Sequence, residues 1–254
     1  MTAEYSPNEL LICVASRLME PDTTAFIGTG IPMLAASLAQ KQHAPTLMPI
    51  FEFGGMGAQL ERLPLAVGDM WTSNRGLIAA GICDAMEFAQ LGYVDYGFLG
   101  GAHIDAYGNL NSTVIGDQRH PKVRLPGSGG ANDVGSCCWR TIILMQHGVR
   151  RFVDEVDFLT TPGYLSGPGA REAAGLPRDT GPYRVVTNLA TLDFHPESKR
   201  MRLIALNPGV SKEQVVEETG FELLVADALE QNAPPSADEL RILRDEVDRE
   251  RFYI

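Results

Sequence analysis

The chain has 254 residues, 44% of them apolar, and a formal net charge of −11 at pH 7. A chain of this length can bury an ample core and suits one large α/β domain. The acidic balance disfavours nucleic acid or an anionic membrane as a non-specific partner, because both carry negative charge. It leaves open a phosphorylated ligand in a local pocket.

The cysteines and the first residues of the chain indicate the cellular compartment of the protein. The spacing of the four cysteines shows no pairing pattern; they are Cys13, Cys83, Cys137 and Cys138. The sequence also lacks the CxxC motif that is typical of a metal site. We therefore expect no bound metal and a reduced, cytoplasmic setting. The chain begins without a basic and then apolar signal pattern, and no apolar run approaches the roughly 20 residues that span a bilayer.

The first hundred residues predict alternating helices and strands. Ser6-Pro-Asn-Glu9 has the capping-box pattern, so a helix is expected to begin at Pro7. A strand over 24–27 is followed by Gly28-Thr-Gly-Ile-Pro32, which favours a plain turn over a phosphate-binding loop, because the third glycine of the dinucleotide fingerprint is missing. The other predicted elements are a helix over 32–39, a strand over 47–53, a helix over 76–90 and a strand over 93–99.

The rest of the chain continues this alternation. Asp105 to Asn109 predicts a tight turn, and a glycine-dense loop over 125–133 precedes a helix beginning near Asn132. Residues 161–182 hold five glycines and four prolines, a composition typical of a functional or interfacial loop. Further strands are expected over 141–145, 183–188, 191–194, 201–206 and 221–225, with helices over 210–219 and after the capping box at Ser236.

This order of elements predicts an α/β fold with an open, layered, mixed or parallel sheet. The sequence has no internal repeat, low-complexity tract or flexible linker. We therefore predict a single domain over residues 1–254.

The stretch from Met48 to Gly57 is the most suggestive for function. Its apolar run ends on one carboxylate, Glu52, and three glycines follow within five residues. A buried acid is costly unless it is paired, protonated or used in chemistry. From these residues alone, Glu52 either caps a helix, forms an ion pair or acts as a functional group.

Several ordered motifs carry a resemblance to a known family. They are Glu52-Phe-Gly, Gly100-Gly-Ala-His-Ile-Asp-Ala-Tyr-Gly-Asn-Leu-Asn-Ser-Thr113, Gly127-Ser-Gly-Gly-Ala-Asn132, Met145-Gln-His147, Thr161-Pro-Gly163, Gly167-Pro-Gly169 and Thr219-Gly-Phe221. Together they resemble the β subunit of glutaconate CoA-transferase, a family I CoA-transferase. The resemblance extends over nearly the whole chain.

The resemblance implies a layered α/β fold related to that of ribose-phosphate isomerases. It also implies a separately encoded α subunit of similar fold, an active site between the subunits, and an α2β2 or larger assembly. Coenzyme A would be a substrate and not a permanently bound cofactor. The other substrates would be an acyl-CoA and a carboxylic acid.

The resemblance assigns roles to particular residues. The family's glutamate nucleophile matches Glu52, and its oxyanion-binding amides match Gly129, Gly130 and Ala131, with Gly100 and Gly101 as further CoA-binding positions. Glu52 would carry CoA as a glutamyl thioester between acyl-CoA and acid, in ping-pong fashion. Relatives that act as acyl-CoA hydrolases or decarboxylases, and a non-catalytic partner subunit, are the alternatives.

One departure from the family pattern concerns substrate choice. The residue after the glutamate is usually small or polar in the family, whereas here it is Phe53. Phe53 and Gly54 are predicted to line the acyl pocket, which would then favour a bulkier or more apolar acyl group. The alternative is that Phe53 packs into the core behind Glu52.

The remaining candidate polar residues are three histidines, one serine and a group of basic side chains. His103, His120 and His147 are expected to be packed or surface side chains. Ser128 lies outside a GxSxG pattern, so a serine hydrolase is disfavoured. Arg119, Lys122 and Arg124 either meet CoA phosphates or form a solvated basic turn.

Overall fold

The computed structural model describes residues 4–254. Contacts between Cα atoms divide the chain into two compact units. Residues 4–98 and Ala233–Ile254 form the first unit, and Leu99–Asn232 form the second. The expectation of a single domain remains a prediction beside this division.

The first stretch of the first unit alternates helices and strands. The capping box predicted at its start is present, because Ser6 Oγ accepts from the Glu9 amide at 3.2 Å and the Glu9 carboxylate accepts from the Ser6 amide at 2.7 Å. The elements are α1 (Pro7–Ser16), β1 (Thr24–Phe26), α2 (Ile31–Gln42), β2 (Met48–Ile50), β3 (Gly55–Met56), β4 (Ile78–Ala79), α3 (Ile82–Gln90) and β5 (Tyr96–Leu99).

The helix predicted over 76–90 begins six residues late, and its first part forms β4. Gly76 and Gly81 interrupt the apolar pattern there, and β4 pairs antiparallel with β3 through Met56 and Ile78. Glycine weakens a helix and permits close backbone approach, so pairing with a neighbouring strand prevails.

The sheet of the first unit is mixed. Its order is β5-β1-β2-β3-β4, with β1 parallel to both β5 and β2 and the last two pairs antiparallel. Parallel strands are buried on both faces and read as continuous apolar runs. Accordingly Ala25, Phe26 and Ile50 are buried.

The second unit is richer in strands. Its β10 and β11 are parallel, β11-β12-β13 are antiparallel and β13-β14 are parallel, so this sheet is also mixed. The elements are β6 (His103–Ile104), β7 (Leu110–Asn111), β8 (Val114–Gly116), β9 (Pro121–Arg124), α4 (Ala131–Cys137), β10 (Arg140–Met145), α5 (Ala170–Ala173), β11 (Pro182–Thr187), β12 (Ala190–Phe194), β13 (Met201–Leu206), α6 (Lys212–Glu217) and β14 (Leu224–Gln231). The last strand begins three residues later than predicted and is longer.

The chain then returns to the first unit and ends in α7 (Ala237–Ile242), which continues as a π-helical turn over Leu243–Val247. Two ion pairs join this last segment to the region of α1. Arg17 binds Glu239 at 2.6 Å, and Arg244 binds Glu9 at 2.5 Å. Each capping-box glutamate is thus paired with an arginine of the other terminal segment.

Candidate active site

Glu52 lies in a tight turn and not in a strand. The strand predicted over 47–53 ends at Ile50, because the chain reverses there to form the β2–β3 hairpin. The Gly54 amide donates to the Phe51 carbonyl at 2.9 Å, and the Phe51 amide donates to the Gly55 carbonyl at 2.8 Å. Glu52 and Phe53 therefore occupy the two central positions of a β-turn.

Gly54 and Gly55 fix the position of this turn. Gly54 has φ of +98°, and a Cβ there would lie 2.2 Å from the Ala80 carbonyl oxygen. A Cβ on Gly55 would lie 2.1 Å from the Thr72 carbonyl oxygen. Only glycine fits such approaches, so the turn carrying Glu52 is held tightly against neighbouring backbone.

The Glu52 carboxylate is half-buried and has no hydrogen-bond or ion-pair partner within residues 4–254. The interpretation of Glu52 as a helix cap or ion-pair member is therefore wrong for the described chain. A half-buried carboxylate with free lone pairs is chemically available to an incoming electrophile.

Phe53 is 53% exposed, so the alternative that it packs into the core is also wrong. A Cβ added to Gly68 would lie 3.6 Å from its ring, which places the ring beside this glycine. The exposed ring thus adds apolar surface on the same turn as the free carboxylate.

In the second unit, Gly100 and Gly101 follow β5 directly. A Cβ on Gly101 would lie 3.1 Å from the His103 carbonyl oxygen and 3.4 Å from that of Asn111. The predicted tight turn follows, with Asp105 Oδ1 accepting from the amides of Tyr107 at 2.9 Å and Asn109 at 3.0 Å. Burial raises the pKa of Asp105, against the opposing effect of these hydrogen bonds.

The glycine-dense loop over 125–133 is anchored next to the β6–β7 hairpin, which contains this turn. The Gly127 amide donates to the Ser112 carbonyl at 2.8 Å, and Ser112 Oγ donates to the Gly127 carbonyl at 2.9 Å. Ser112 follows Asn111, the residue that Gly101 approaches. The fold therefore brings Gly100–Gly101 and the 127–131 loop to the same short segment.

The three predicted amide donors of this loop are not equivalent. The Ala131 amide already donates to the Ser128 carbonyl at 3.0 Å. The amides of Gly129 and Gly130 have no acceptor among the described residues, and Gly129 is exposed with φ of +48°. Two free N–H groups thus precede α4.

Arg171 holds the other end of α4, and sequence reasoning missed it. Its side chain is buried, and its two terminal nitrogens donate to the carbonyls of Gly135, Ser136, Pro162 and Gly163 and to Thr180 Oγ1 at 2.8–3.2 Å. Burial lowers the pKa of Arg171. No sequence pattern marks such a residue, because nearly all its partners are backbone carbonyls, which lie 8 to 36 residues away along the chain.

The histidines have structural positions, as expected. His147 stacks on Phe152 at 3.9 Å between ring centroids, and its ring nitrogens lie 3.2 Å from Thr187 Oγ1 and 3.0 Å from Thr219 Oγ1. Burial lowers the pKa of His147 to about 4. His103 is buried with Nδ1 3.4 Å from Asn111 Nδ2, and His120 is exposed.

The basic residues Arg119, Lys122 and Arg124 are exposed on or beside the β8–β9 hairpin. Between residues 4 and 254, no group of three or more His, Cys, Asp or Glu side chains could hold a metal ion. In that same range, every helix is too short or too polar to cross a bilayer.

Comparison with known proteins defines the class. Residues 10–218 match the family described as Coenzyme A transferase. The chain therefore belongs to the coenzyme A transferase family, as its motifs predicted.

Two curated relatives are B-type subunits of such enzymes. The chain is 39% identical to the B-type subunit of glutaconate CoA-transferase from Acidaminococcus fermentans, over 98% of this chain and 95% of the relative. It is 36% identical to the B-type subunit of 3-oxoadipate CoA-transferase from Pseudomonas knackmussii, over 94% and 92% of the two chains.

The fold is also similar to a solved structure, that of glutaconate coenzyme A-transferase from Acidaminococcus fermentans. The TM-score is 0.94 with 36% identity, covering 100% of this chain and 99% of that one. The predicted mixed α/β fold of the family is confirmed.

Proposed function

We propose that this chain is the β subunit of a heteromeric CoA-transferase and that Glu52 is its nucleophile. The observation that carries the proposal is the Glu52 carboxylate, which is half-buried, unpaired among the described residues and set on a turn that two glycines hold in place. The two B-type relatives, each matched over more than nine-tenths of its length, support the heteromeric assignment.

The chemistry suits a free carboxylate. The Glu52 oxygen attacks the thioester carbonyl of an acyl-CoA, which forms a mixed anhydride and releases CoA as a thiolate. The thiolate then attacks the glutamyl carbonyl, which leaves a glutamyl-CoA thioester and frees the carboxylate of the first acyl group. An incoming acid reverses both steps and departs as the new CoA ester.

This reaction places few demands on neighbouring bases. A carboxylate carries no proton to remove, so Glu52 needs no base beside it. The barrier lies in forming the tetrahedral oxyanion, and each positioned N–H donor stabilises such an anion by on the order of 3 kcal/mol. We assign this role to the free amides of Gly129 and Gly130, and we leave Ala131 out because its amide is already bonded.

The acyl pocket is proposed to include Phe53 and Gly54. The exposed Phe53 ring gives the turn an apolar surface. We therefore propose a bulkier or more apolar acyl group than a short dicarboxylate as the preferred substrate.

The decisive experiment traps the covalent intermediate. The complex with the α subunit is incubated with acyl-CoA and no acceptor, then treated with hydroxylamine, and Glu52 is examined by peptide mass spectrometry. We expect the hydroxamate on Glu52 and the loss of both hydroxamate and transfer in Glu52→Ala.

Glu87→Ala serves as the control, since Glu87 is an exposed glutamate of α3. Full transfer by Glu52→Ala would remove the nucleophile assignment. Release of free acid and CoA by wild type, without transfer to any acceptor, would favour the hydrolase alternative.

A further inference from the structure

The last residues of the described chain fold back onto a single buried carboxylate. Asp248 follows the π-helical turn and is 1% exposed. Its Oδ1 accepts from the Phe252 amide at 2.9 Å, and its Oδ2 accepts from the amides of Tyr253 at 2.8 Å and Ile254 at 3.1 Å. A carboxylate that binds three successive amides fixes the backbone that carries them. We call residues 248–254 the tail segment.

A second set of contacts holds the tail segment against another loop. Arg62 forms an ion pair with Glu250, with 3.9 Å between Nε and Oε1. Leu63 and Phe252 line the same cavity, so Phe252 faces this loop. Exposed ion pairs contribute little to stability, so the Asp248 carboxylate supplies most of the attachment.

The Tyr253 ring contacts a different part of the first unit, the turn between β1 and α2. Gly30 directly precedes α2 and has φ of +88°. A Cβ added to Gly30 would lie 3.9 Å from Tyr253 Cε1. The ring therefore lies against the Gly28–Pro32 turn, the glycine motif that the proposed reaction leaves unused.

That glycine turn and the turn of Glu52 leave the sheet at the same edge. The strands β1 and β2 are parallel, with Phe26 paired to Ile50, and the Ile27 amide donates to the Ile50 carbonyl at 2.9 Å. Gly28 and Glu52 each follow two residues after the last paired residue. Neighbouring strands lie about 4.8 Å apart, so the two turns begin within the length of one small substrate. The carboxyl ends of parallel strands are also where open α/β sheets bind ligands.

The Tyr253 hydroxyl is unused by the protein itself. Tyr253 is half-buried, and no group within residues 4–254 is hydrogen-bonded to its hydroxyl. Buried tyrosines ordinarily find a partner for this group, as Tyr164 does by donating to the Pro182 carbonyl at 2.9 Å. An unpaired hydroxyl on a fixed backbone, near the edge that carries Glu52, is available to a bound ligand.

The ligand that suits this donor is the carboxylate of the acid substrate. The proposed reaction releases one carboxylate at Glu52 and admits another. The formal net charge of −11 repels such anions from the surface as a whole. A phenol that donates to a carboxylate forms a charge-assisted hydrogen bond, which is stronger than one between neutral groups.

We propose that Tyr253 is an acid-binding residue, whose hydroxyl donates to the carboxylate of the entering acid. Asp248 is the corresponding positioning residue, because it holds the backbone that carries the Tyr253 ring. The inference rests on the proposed function. It concerns a segment beyond residues 10–218, the part of the chain that matches the family.

The test uses the assembled enzyme with two probe acids, glutaconate and hexanoate, which share a reacting carboxylate and differ in the rest of the molecule. Tyr253→Phe keeps the ring and removes the donor. We expect kcat/KM for both acids to fall by the same factor, roughly 10- to 100-fold, the range for one hydrogen bond to a charged group. The rate at which acyl-CoA labels Glu52 without an acceptor should stay close to that of wild type.

Tyr93→Phe is the matched control, because Tyr93 is 61% exposed and lies outside the tail segment. It should leave both kcat/KM values unchanged. Asp248→Asn should lower them in the same direction as Tyr253→Phe. Because Asp248 acts through Tyr253, the losses in the double variant should not add.

Three results would overturn the assignment. The first is an unchanged kcat/KM for both acids in Tyr253→Phe, or an equal loss in Tyr93→Phe. The second is a loss with one acid only, which would mean that the hydroxyl reads the acyl chain and not the carboxylate. The third is slow labelling of Glu52 in Tyr253→Phe, which would place the hydroxyl on the CoA ester.

A binding measurement separates this inference from the proposed function. Each acid is titrated by calorimetry into the Glu52→Ala complex, with and without Tyr253→Phe. Weaker binding in the double variant would support Tyr253 even if Glu52→Ala retained transfer and the nucleophile assignment failed. Equal binding would overturn the role of Tyr253 even if Glu52 were labelled as proposed.

Discussion

The guanidinium of Arg171 donates a hydrogen bond to the carbonyl oxygen of Gly135 at 3.1 Å, across 36 residues of sequence. The same side chain binds three further carbonyls and one hydroxyl. This buried arginine joins α4 to the 161–182 loop through backbone oxygens, and no carboxylate among the described residues is hydrogen-bonded to it. The last turn of α4 and the 161–182 loop are thereby fixed to one side chain.

Arg171→Met is expected to destabilise the protein by about 3–5 kcal/mol, because several buried carbonyls lose their donors at once. Arg171→Lys should recover only part of the lost stability, since an ammonium group cannot reproduce the planar, forked set of donors of a guanidinium. The free energy of unfolding in urea measures the stability of both variants. Arg178→Met, an exposed arginine of the same loop, should stay within about 0.5 kcal/mol of wild type. Equal stability of Arg171→Met and Arg178→Met would contradict the role of Arg171.

Gly54→Ala is expected to displace the turn of Glu52, since its Cβ would collide with the Ala80 carbonyl. A displacement of about 1 Å at a reacting group costs on the order of 100-fold in rate, so kcat for transfer should fall by that order. Gly28→Ala is the control, because a Cβ there meets no atom within 4 Å. Steady-state kinetics on the assembled enzyme make the comparison, and an unchanged kcat in Gly54→Ala would argue against a fixed turn.

Phe53→Ser tests the proposed acyl pocket. We expect the preference to move toward the dicarboxylate glutaconate and away from an apolar acid by about 1–3 kcal/mol, the range of apolar-pocket discrimination. The ratio of kcat/KM for the two acids is the measurement. Phe252→Ser, which alters another half-exposed phenylalanine, should leave the ratio unchanged. If Phe53→Ser lowered both activities equally, Phe53 would have a structural role and no role in selection.

His147 should make stability depend on pH in a defined window. Its pKa is about 4 in the folded protein because burial disfavours the charged ring, while an unfolded histidine titrates near 6.5. The unfolded state therefore binds the proton first, so this contribution is present above pH 6.5 and is lost as the pH falls toward 4. The loss is about 3 kcal/mol in all.

Unfolding free energies measured between about pH 7 and pH 4 test the contribution of His147 to the pH dependence of stability. His147→Asn should be less stable than wild type at neutral pH and should show a shallower decline. His120→Asn, which replaces an exposed histidine, should keep the wild-type slope. A parallel decline in wild type and His147→Asn would show that other groups set the pH dependence.

The regular parts of the fold were predictable from sequence, and the reasons are local. Both capping boxes are present as expected, because Ser6 and Ser236 each bond a backbone amide three residues away. Patterns of this kind need no knowledge of the rest of the chain. The Asp105–Asn109 turn was predictable for the same reason.

The failures concern contacts between distant residues. The 76–90 segment has helical spacing, but pairing of β4 with β3 takes its first residues out of the helix. Glu52 was expected at the end of a strand, whereas hydrogen bonds across the hairpin end β2 at Ile50. The expectation of a single domain is not among these failures and stays a prediction. The second of the two compact units is an insertion within the first, so no linker marks their boundary in the sequence.

That insertion has a consequence for how the protein is made. Arg17 and Glu239 are 222 residues apart, so at a synthesis rate of about 5–20 residues per second the ribosome needs roughly 10–40 s to supply the partner of Arg17. The second unit is one continuous stretch and emerges completely before α7 does. The unit that contains Glu52 is therefore the last to be completed, although its first helix leaves the ribosome first.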